Sequence, residues 1–256
     1  MLEYFLCLNI LMLTRFVYLR KDEAIGNRWN VLLTALQIIL VVLCFSFSTV
    51  LWLVILLLIV TGGLNLLLEP RLLKKGLRLY TLLILVVGID LILGASAGLQ
   101  LRPALVNAVG LISDSSGLLQ VSPGITGEKL LGVIFGLLIL TNEVNLFIRM
   151  VFQHFGMEPA NAKEQDGQQL VNDASTHGID RQEYNTGRVI GILERWLMYL
   201  VVLSTNNLTA IAFIIAAKGL ARMKQLDEKM FAEYMLIGTL LSMLSAVLMG
   251  SWVVLL

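Results

Sequence analysis

No charged residue occurs between positions 31 and 68, and this run limits the possible folds more than any other feature of the chain. A helix of a soluble domain needs one apolar stripe to face a core, whereas a helix apolar on all sides belongs deep inside a large protein or in lipid. About 20 apolar residues cross the hydrocarbon of a bilayer. The run is too long for one tilted helix and fits two. Residues 46–49 mark the turn between them, because Ser46, Ser48 and Thr49 offer hydroxyls that bond local backbone groups.

Composition points the same way. Hydrophobic residues make up 57% of the chain and charged residues 14%, against about 25% charged in soluble domains. A chain this apolar lacks the polar groups to cover its own surface in water. The formal net charge of +1 argues against nucleic acid as a partner, since phosphate recognition needs a concentrated basic surface. Cys7 and Cys44 both lie in apolar runs and read as small hydrophobes rather than as a disulfide framework or a zinc site.

Further candidate spans cover residues 2–19, 79–99, 130–152, 189–205, 208–221 and 231–256. The expected fold is therefore all-α, a polytopic helical membrane bundle of about eight transmembrane helices, since an isolated helix satisfies its own backbone polar groups in lipid. The first run has no basic stretch before it and no small-residue cleavage site before Arg20, so it is expected to be a retained span rather than a signal peptide. The expected organisation is a four-helix membrane region at 1–99, an external loop at 100–127, a fifth transmembrane helix at 128–155, a cytoplasmic polar linker at 156–187 and a three-helix membrane region at 188–256. The linker is rich in Gln, Asn and Asp and divides the chain into halves.

Basic residues set the orientation, because basic loops stay on the cytoplasmic side. Arg20, Lys21 and Arg28 precede the second span, and Arg71, Lys74, Lys75 and Arg78 follow the third. Arg149 follows the fifth, and Arg222, Lys224 and Lys229 follow the seventh. With eight spans all of these share one side and both termini lie outside. Removing any one span spoils the pattern. A bacterial inner membrane is the expected location.

A charge near the bilayer centre costs about 2.5–3.5 kcal/mol on insertion scales and so marks a site worth testing. Asp90 falls midway along the fourth span, and Glu143 lies deep in the fifth with Asn142 and Asn145 beside it. These four residues are the candidates for an ion or solute path. The alternative is that each carboxyl is hydrogen-bonded within the bundle or protonated by burial. A second set, Arg149, Glu194, Arg195, Lys218, Arg222 and Glu233, gathers toward the cytoplasmic ends of the spans. It forms either an ionic network between helices or a group of long side chains snorkelling to the interface. Gly187 with Gly191, Gly132 with Gly136, and Ala212 with Ala216 have the four-residue spacing of close helix packing. His154 and His177 have no metal-ligand spacing around them, and no phosphate-cradling loop or nucleophile with an adjacent base is present, so no catalytic residue, metal or cofactor is expected.

Three stretches of the C-terminal part carry a resemblance: Gly187-Arg188-Val189-Ile190-Gly191-Ile192-Leu193-Glu194-Arg195, Ala210-Ile211-Ala212-Phe213-Ile214-Ile215-Ala216-Ala217-Lys218 and Phe231-Ala232-Glu233-Tyr234-Met235-Leu236-Ile237-Gly238-Thr239-Leu240-Leu241. Together with Asn145-Leu146-Phe147-Ile148-Arg149, they resemble the membrane region of a bacterial family carried as a domain of unknown function. The resemblance implies a bacterial membrane protein and draws attention to Glu194, Arg195, Lys218 and Glu233. It implies no activity.

The leading expectation is transport or conduction of an ion, proton or small solute through the bundle. The alternative is an oligomeric structural or signalling membrane subunit, for example an effector of stress or phage defence, using residues 156–187 to bind a partner. An enzyme acting on lipid is a third class, disfavoured by the missing nucleophile. Membrane lipid, further copies of the chain or another membrane subunit are the expected partners.

Overall fold

The computed structural model describes residues 2–16, 27–72, 76–95, 99–104, 127–155, 176–205, 208–221, 223, 227 and 229–256. Among them are nine helices: α1 (Leu2–Arg15), α2 (Asn27–Cys44), α3 (Thr49–Leu72), α4 (Gly76–Ala95), α5 (Gly127–Thr141), α6 (Glu143–His154), α7 (Thr176–Thr205), α8 (Leu208–Ala221) and α9 (Lys229–Val254). The chain is all-α among the described residues. Three segments among the described residues are long and apolar enough to cross a membrane: Thr49–Leu67, Gly127–His154 and Ala232–Val254. Two compact units result, Met1–Asn142 with Leu256, and Glu143–Leu255.

In the first unit α1 is the central element. Phe5, Cys7, Leu8, Leu11 and Met12 are all buried, although the described helix has only 14 residues. The side-chain nitrogen of Asn9 donates to the carbonyl of Leu131 at 2.9 Å, and the Gly127 backbone lies against Leu2, so α5 runs beside α1 in the same direction. Helix α4 runs the opposite way. Its first turns meet the end of α1, where an Arg15 guanidinium nitrogen donates to the Arg78 carbonyl at 2.8 Å, and Asp90 comes within electrostatic reach of Tyr4 near the start. Gln37 of α2 donates to the Thr14 hydroxyl at 2.8 Å.

The turn expected at residues 46–49 is present. Ser48 caps α3 by accepting the Leu51 N–H at 3.2 Å, the usual role of an N-cap hydroxyl toward an amide three residues on. The exposed backbone of the turn is satisfied by residues beyond α4: Ser46 N–H donates to Gln100 at 2.8 Å and Arg102 N–H to Cys44 at 3.0 Å. A chain segment this close to apolar surroundings cannot leave such groups unpaired.

Two glycines set how closely α2, α3 and α4 approach. A Cβ added to Gly62 would lie 2.5 Å from the Thr34 hydroxyl, and one added to Gly88 would lie 2.7 Å from a Leu57 methyl. Of the spacing motifs read from the sequence, Gly132 and Gly136 are buried on α5. Gly187 faces open space, and Ala212 and Ala216 are exposed.

The second unit joins α6, α7, α8 and α9. Phe152 of α6 stacks on Tyr234 of α9, with ring centroids 4.3 Å apart, and Gly238 leaves room for the same ring. Helices α7 and α9 lie side by side in the same direction, closest where a Cβ on Gly250 would meet Val202 at 2.7 Å.

Two expectations change. The fifth span, expected as one helix, is interrupted at Asn142. Thr141 turns its hydroxyl back onto the Leu137 carbonyl at 2.6 Å, and the Asn142 N–H reaches Leu138 only at 3.4 Å. Hydroxyl and amide side chains compete here for the ladder that an apolar run would leave intact. The polar linker is also shorter than expected, because α7 starts at Thr176 and is 30 residues long. At 1.5 Å per residue it extends about 45 Å, well beyond the roughly 30 Å of hydrocarbon, so a polar first part is compatible with one continuous helix. The remainder of the linker, the 105–126 part of the external loop, and Asn206 with Asn207 lie outside the described residues.

The outward faces are strongly apolar. On α9, Leu236, Leu240, Leu244 and Leu248 recur every fourth residue, each about half exposed or more, while the buried side carries Thr239, Ser242, Ala246 and Val253. Helix α3 exposes Trp52, Leu53, Leu56, Ile59 and Val60 and buries Leu51, Val54 and Leu58 together with Thr61, whose hydroxyl bonds the Leu57 carbonyl at 2.9 Å. Water as solvent would favour polar groups on these outward faces.

Candidate functional site

Helix α7 buries Ile192, Arg195, Met198, Tyr199 and Val202, a three-and-four spacing that defines one helical face. Val189, Ile190, Leu193, Leu197 and Leu200 occupy the exposed side. Arg195 thus enters the contact with α9 because it sits in register with apolar core residues, and it is only 3% exposed. One guanidinium nitrogen donates to the Ser242 hydroxyl at 3.4 Å. Small polar residues on the α9 face make this burial possible, since a buried guanidinium requires acceptors around it.

Glu194, the neighbour of Arg195, turns toward α8. Its Oε2 lies 2.5 Å from Lys218 Nζ, and the two side chains keep 18% and 21% of their surface. Glu194 also acts electrostatically on Arg195, so one carboxylate stands between two cations. Helix α8 is otherwise apolar around its circumference, with Phe213 and Leu220 strongly exposed, and the ion pair is its one salt bridge to α7 among the described residues.

Of the six residues expected to form a cytoplasmic-side network, three meet: Glu194, Arg195 and Lys218. Arg149 lies within electrostatic reach of Tyr234, and Glu233 pairs with Lys229 one turn earlier at 3.9 Å on the exposed surface of α9. Arg222 lies outside the described residues.

The candidates for a path are distributed differently. Asp90 is exposed on α4, toward the end of the first unit that holds Tyr4. Asn142 is 5% exposed and follows α5, which begins beside Leu2. Asp90 and Asn142 therefore stand toward opposite ends of that unit, separated by most of the length of a 15-residue helix. Glu143 opens α6 at 4% exposure, and Asn145 is half-buried on the same helix.

Sequence reasoning missed one polar cluster. Arg15 and Arg78 are buried, at 3% and 6% exposure, with Thr14, Gln37 and Thr81 next to them through the Arg78 carbonyl and the Thr14 hydroxyl. Arg15 was legible as the one basic residue inside the first apolar run. It shares a helical face with Leu8 and Leu11, which marks it as inward-facing.

Fold and polar contacts together define an all-helical bundle with membrane-length apolar segments and polar groups turned inward. The chain matches no known protein family, no curated protein and no solved structure.

Proposed function

We propose that the protein is a multi-pass helical protein of a bacterial inner membrane, and that it serves as a structural or signalling membrane subunit without a conducting path of its own. The Glu194–Lys218 pair carries this reading. A carboxylate already in contact with an ammonium at 2.5 Å is neutralised by its neighbour and serves to fix α8 on α7, whereas a transport site presents its charge to a passing ion. The separation of Asp90 from Asn142 supports the same reading, because a path needs its polar groups to converge. The apolar outward faces suit lipid, further copies of the chain or another membrane subunit.

The test is reconstitution of the full chain into liposomes loaded with pH- and potassium-sensitive dyes. Leakage equal to that of empty liposomes is expected. Proton or cation flux that disappears in the Asp90→Asn, Glu143→Gln double variant would overturn the reading in favour of transport. Deleting residues 156–175 is expected to remove any cellular phenotype of the chain while leaving membrane insertion intact.

A further inference from the structure

The hydrogen bond from Gln37 to Thr14 fixes the register between α1 and α2. Seven residues back from Thr14 on α1 is Cys7, and seven residues on from Gln37 along α2 is Cys44. Seven residues are close to two helical turns, about 10.5 Å of rise, so each cysteine shares a face with its partner in the hydrogen-bonded pair. Helices α1 and α2 run in opposite directions, because the end of α2 bonds residues 100–102 just beyond the end of α4, which itself runs against α1, so these displacements coincide in space. Cys7 and Cys44 therefore oppose each other across the α1–α2 contact, two turns from Thr14 and Gln37. Cys44 also lies within electrostatic reach of Cys7. Both are free thiols; Cys7 is buried and Cys44 is half-exposed.

We propose that Cys7 and Cys44 are a redox-active dithiol, closing to an intrachain disulfide between α1 and α2 when a disulfide-bearing oxidant reaches this end of the bundle. The difference in burial sets the order of events. The Cys44 sulfur, as thiolate, attacks one sulfur of the oxidant's disulfide and expels the other as a thiol, which leaves Cys44 in a mixed disulfide. The Cys7 sulfur then attacks the Cys44 sulfur and expels the second oxidant thiol. Two protons and two electrons pass from the cysteine pair to the oxidant, one disulfide forms and one is reduced. The closed bond would tie α1, the central helix of its unit, to the α2–α3 hairpin. The backbone of Cys44 is held by the Arg102 N–H at 3.0 Å, so oxidation would register at the turn joining α2 to residues 99–102. With both termini outside, as the basic loops lead one to expect, this end faces the outer, oxidising compartment, and in that respect alone the inference rests on the proposed location.

The chemistry is tested on the purified full chain, independently of its orientation in a cell. The detergent-solubilised protein is exposed to bis(2-hydroxyethyl) disulfide, alkylated with N-ethylmaleimide under denaturing conditions and mapped by mass spectrometry. In the wild type, joint loss of both alkylatable thiols into a Cys7–Cys44 crosslinked peptide is expected. In Cys7→Ser, Cys44 is expected to accumulate as the hydroxyethyl mixed disulfide. Two alkylated thiols in the wild type, an unresolved mixed disulfide at Cys44, or bonds between chains in place of the intrachain bond would each overturn the proposal. Separately, alkylation of Cys44 in intact cells by a membrane-impermeant maleimide reports which side this end faces. Failure there would count against the proposed orientation and leave the dithiol chemistry standing.

Discussion

Lys218 on α8 reaches Glu194 on α7 with 2.5 Å between ammonium and carboxylate, and the residue after Glu194 is the buried Arg195 that bonds Ser242 on α9. Three helices of the second unit thus meet through consecutive residues of one helix turn. A 100° step along α7 sends Glu194 to α8 and Arg195 to α9. Helix α8 has no amphipathic face of its own to position it, and the ion pair supplies the specific contact that apolar surface cannot.

Glu194→Gln is expected to lower the stability of the detergent-solubilised protein by about 1.5–3 kcal/mol, the range for hydrogen bonds to charged groups. Lys218→Met should cost a similar amount. Charge reversal at both sites, Glu194→Lys with Lys218→Glu, should recover part of the loss. A double-mutant cycle read by thermal unfolding checks this, and additive losses with no recovery would show that the pair contributes nothing specific.

Gly250 and Gly187 should respond oppositely to alanine. A methyl at Gly250 meets Val202 at 2.7 Å, whereas nothing lies within 4 Å of Gly187. Gly250→Ala is expected to destabilise by about 1–3 kcal/mol, as overpacking does. Gly187→Ala is expected to be neutral or to stabilise by up to about 1 kcal/mol through helix propensity. Melting temperatures of the two variants decide it.

Arg15→Leu should lower stability more than Arg102→Leu. The first removes a guanidinium that donates to the Arg78 carbonyl inside the first unit, and loss of a donor to a buried acceptor costs about 1–3 kcal/mol. Arg102 is half-exposed, with its guanidinium over the exposed Phe47 ring at 5.2 Å, an arrangement of about 0.5–1 kcal/mol. Limited proteolysis and thermal unfolding of the two variants compare them directly.

Helical class, the turn at residues 46–49 and the candidacy of Glu194, Arg195 and Lys218 were legible because each depends on local pattern. An uncharged run long enough for two spans, hydroxyls at its middle and charges inside apolar segments all act over one or two turns. Contacts set by register between distant helices were not legible. Whether Asp90 joins Asn142 depends on the direction of α5 relative to α4, which no short stretch encodes. The interruption at Asn142 was hidden because Asn142 and Glu143 read as candidate ligands, while the Thr141 hydroxyl beside them acts on its own helix. Residues 176–187 read as linker because polarity was taken for disorder, and a helix extending beyond the hydrocarbon is polar for a different reason. The pairing of Cys7 with Cys44 appears only once Thr14 and Gln37 are seen to bond.

The central claim is that the apolar outward faces meet lipid. It is tested most directly by spin labels placed one at a time at Leu240, Leu244 and Leu248 in a Cys7→Ser, Cys44→Ser background reconstituted in bilayers. Mobile labels relaxed by dissolved oxygen and shielded from a water-soluble nickel chelate are the expected result. Labels relaxed equally by the nickel chelate would place α9 against water and contradict the membrane reading of this fold.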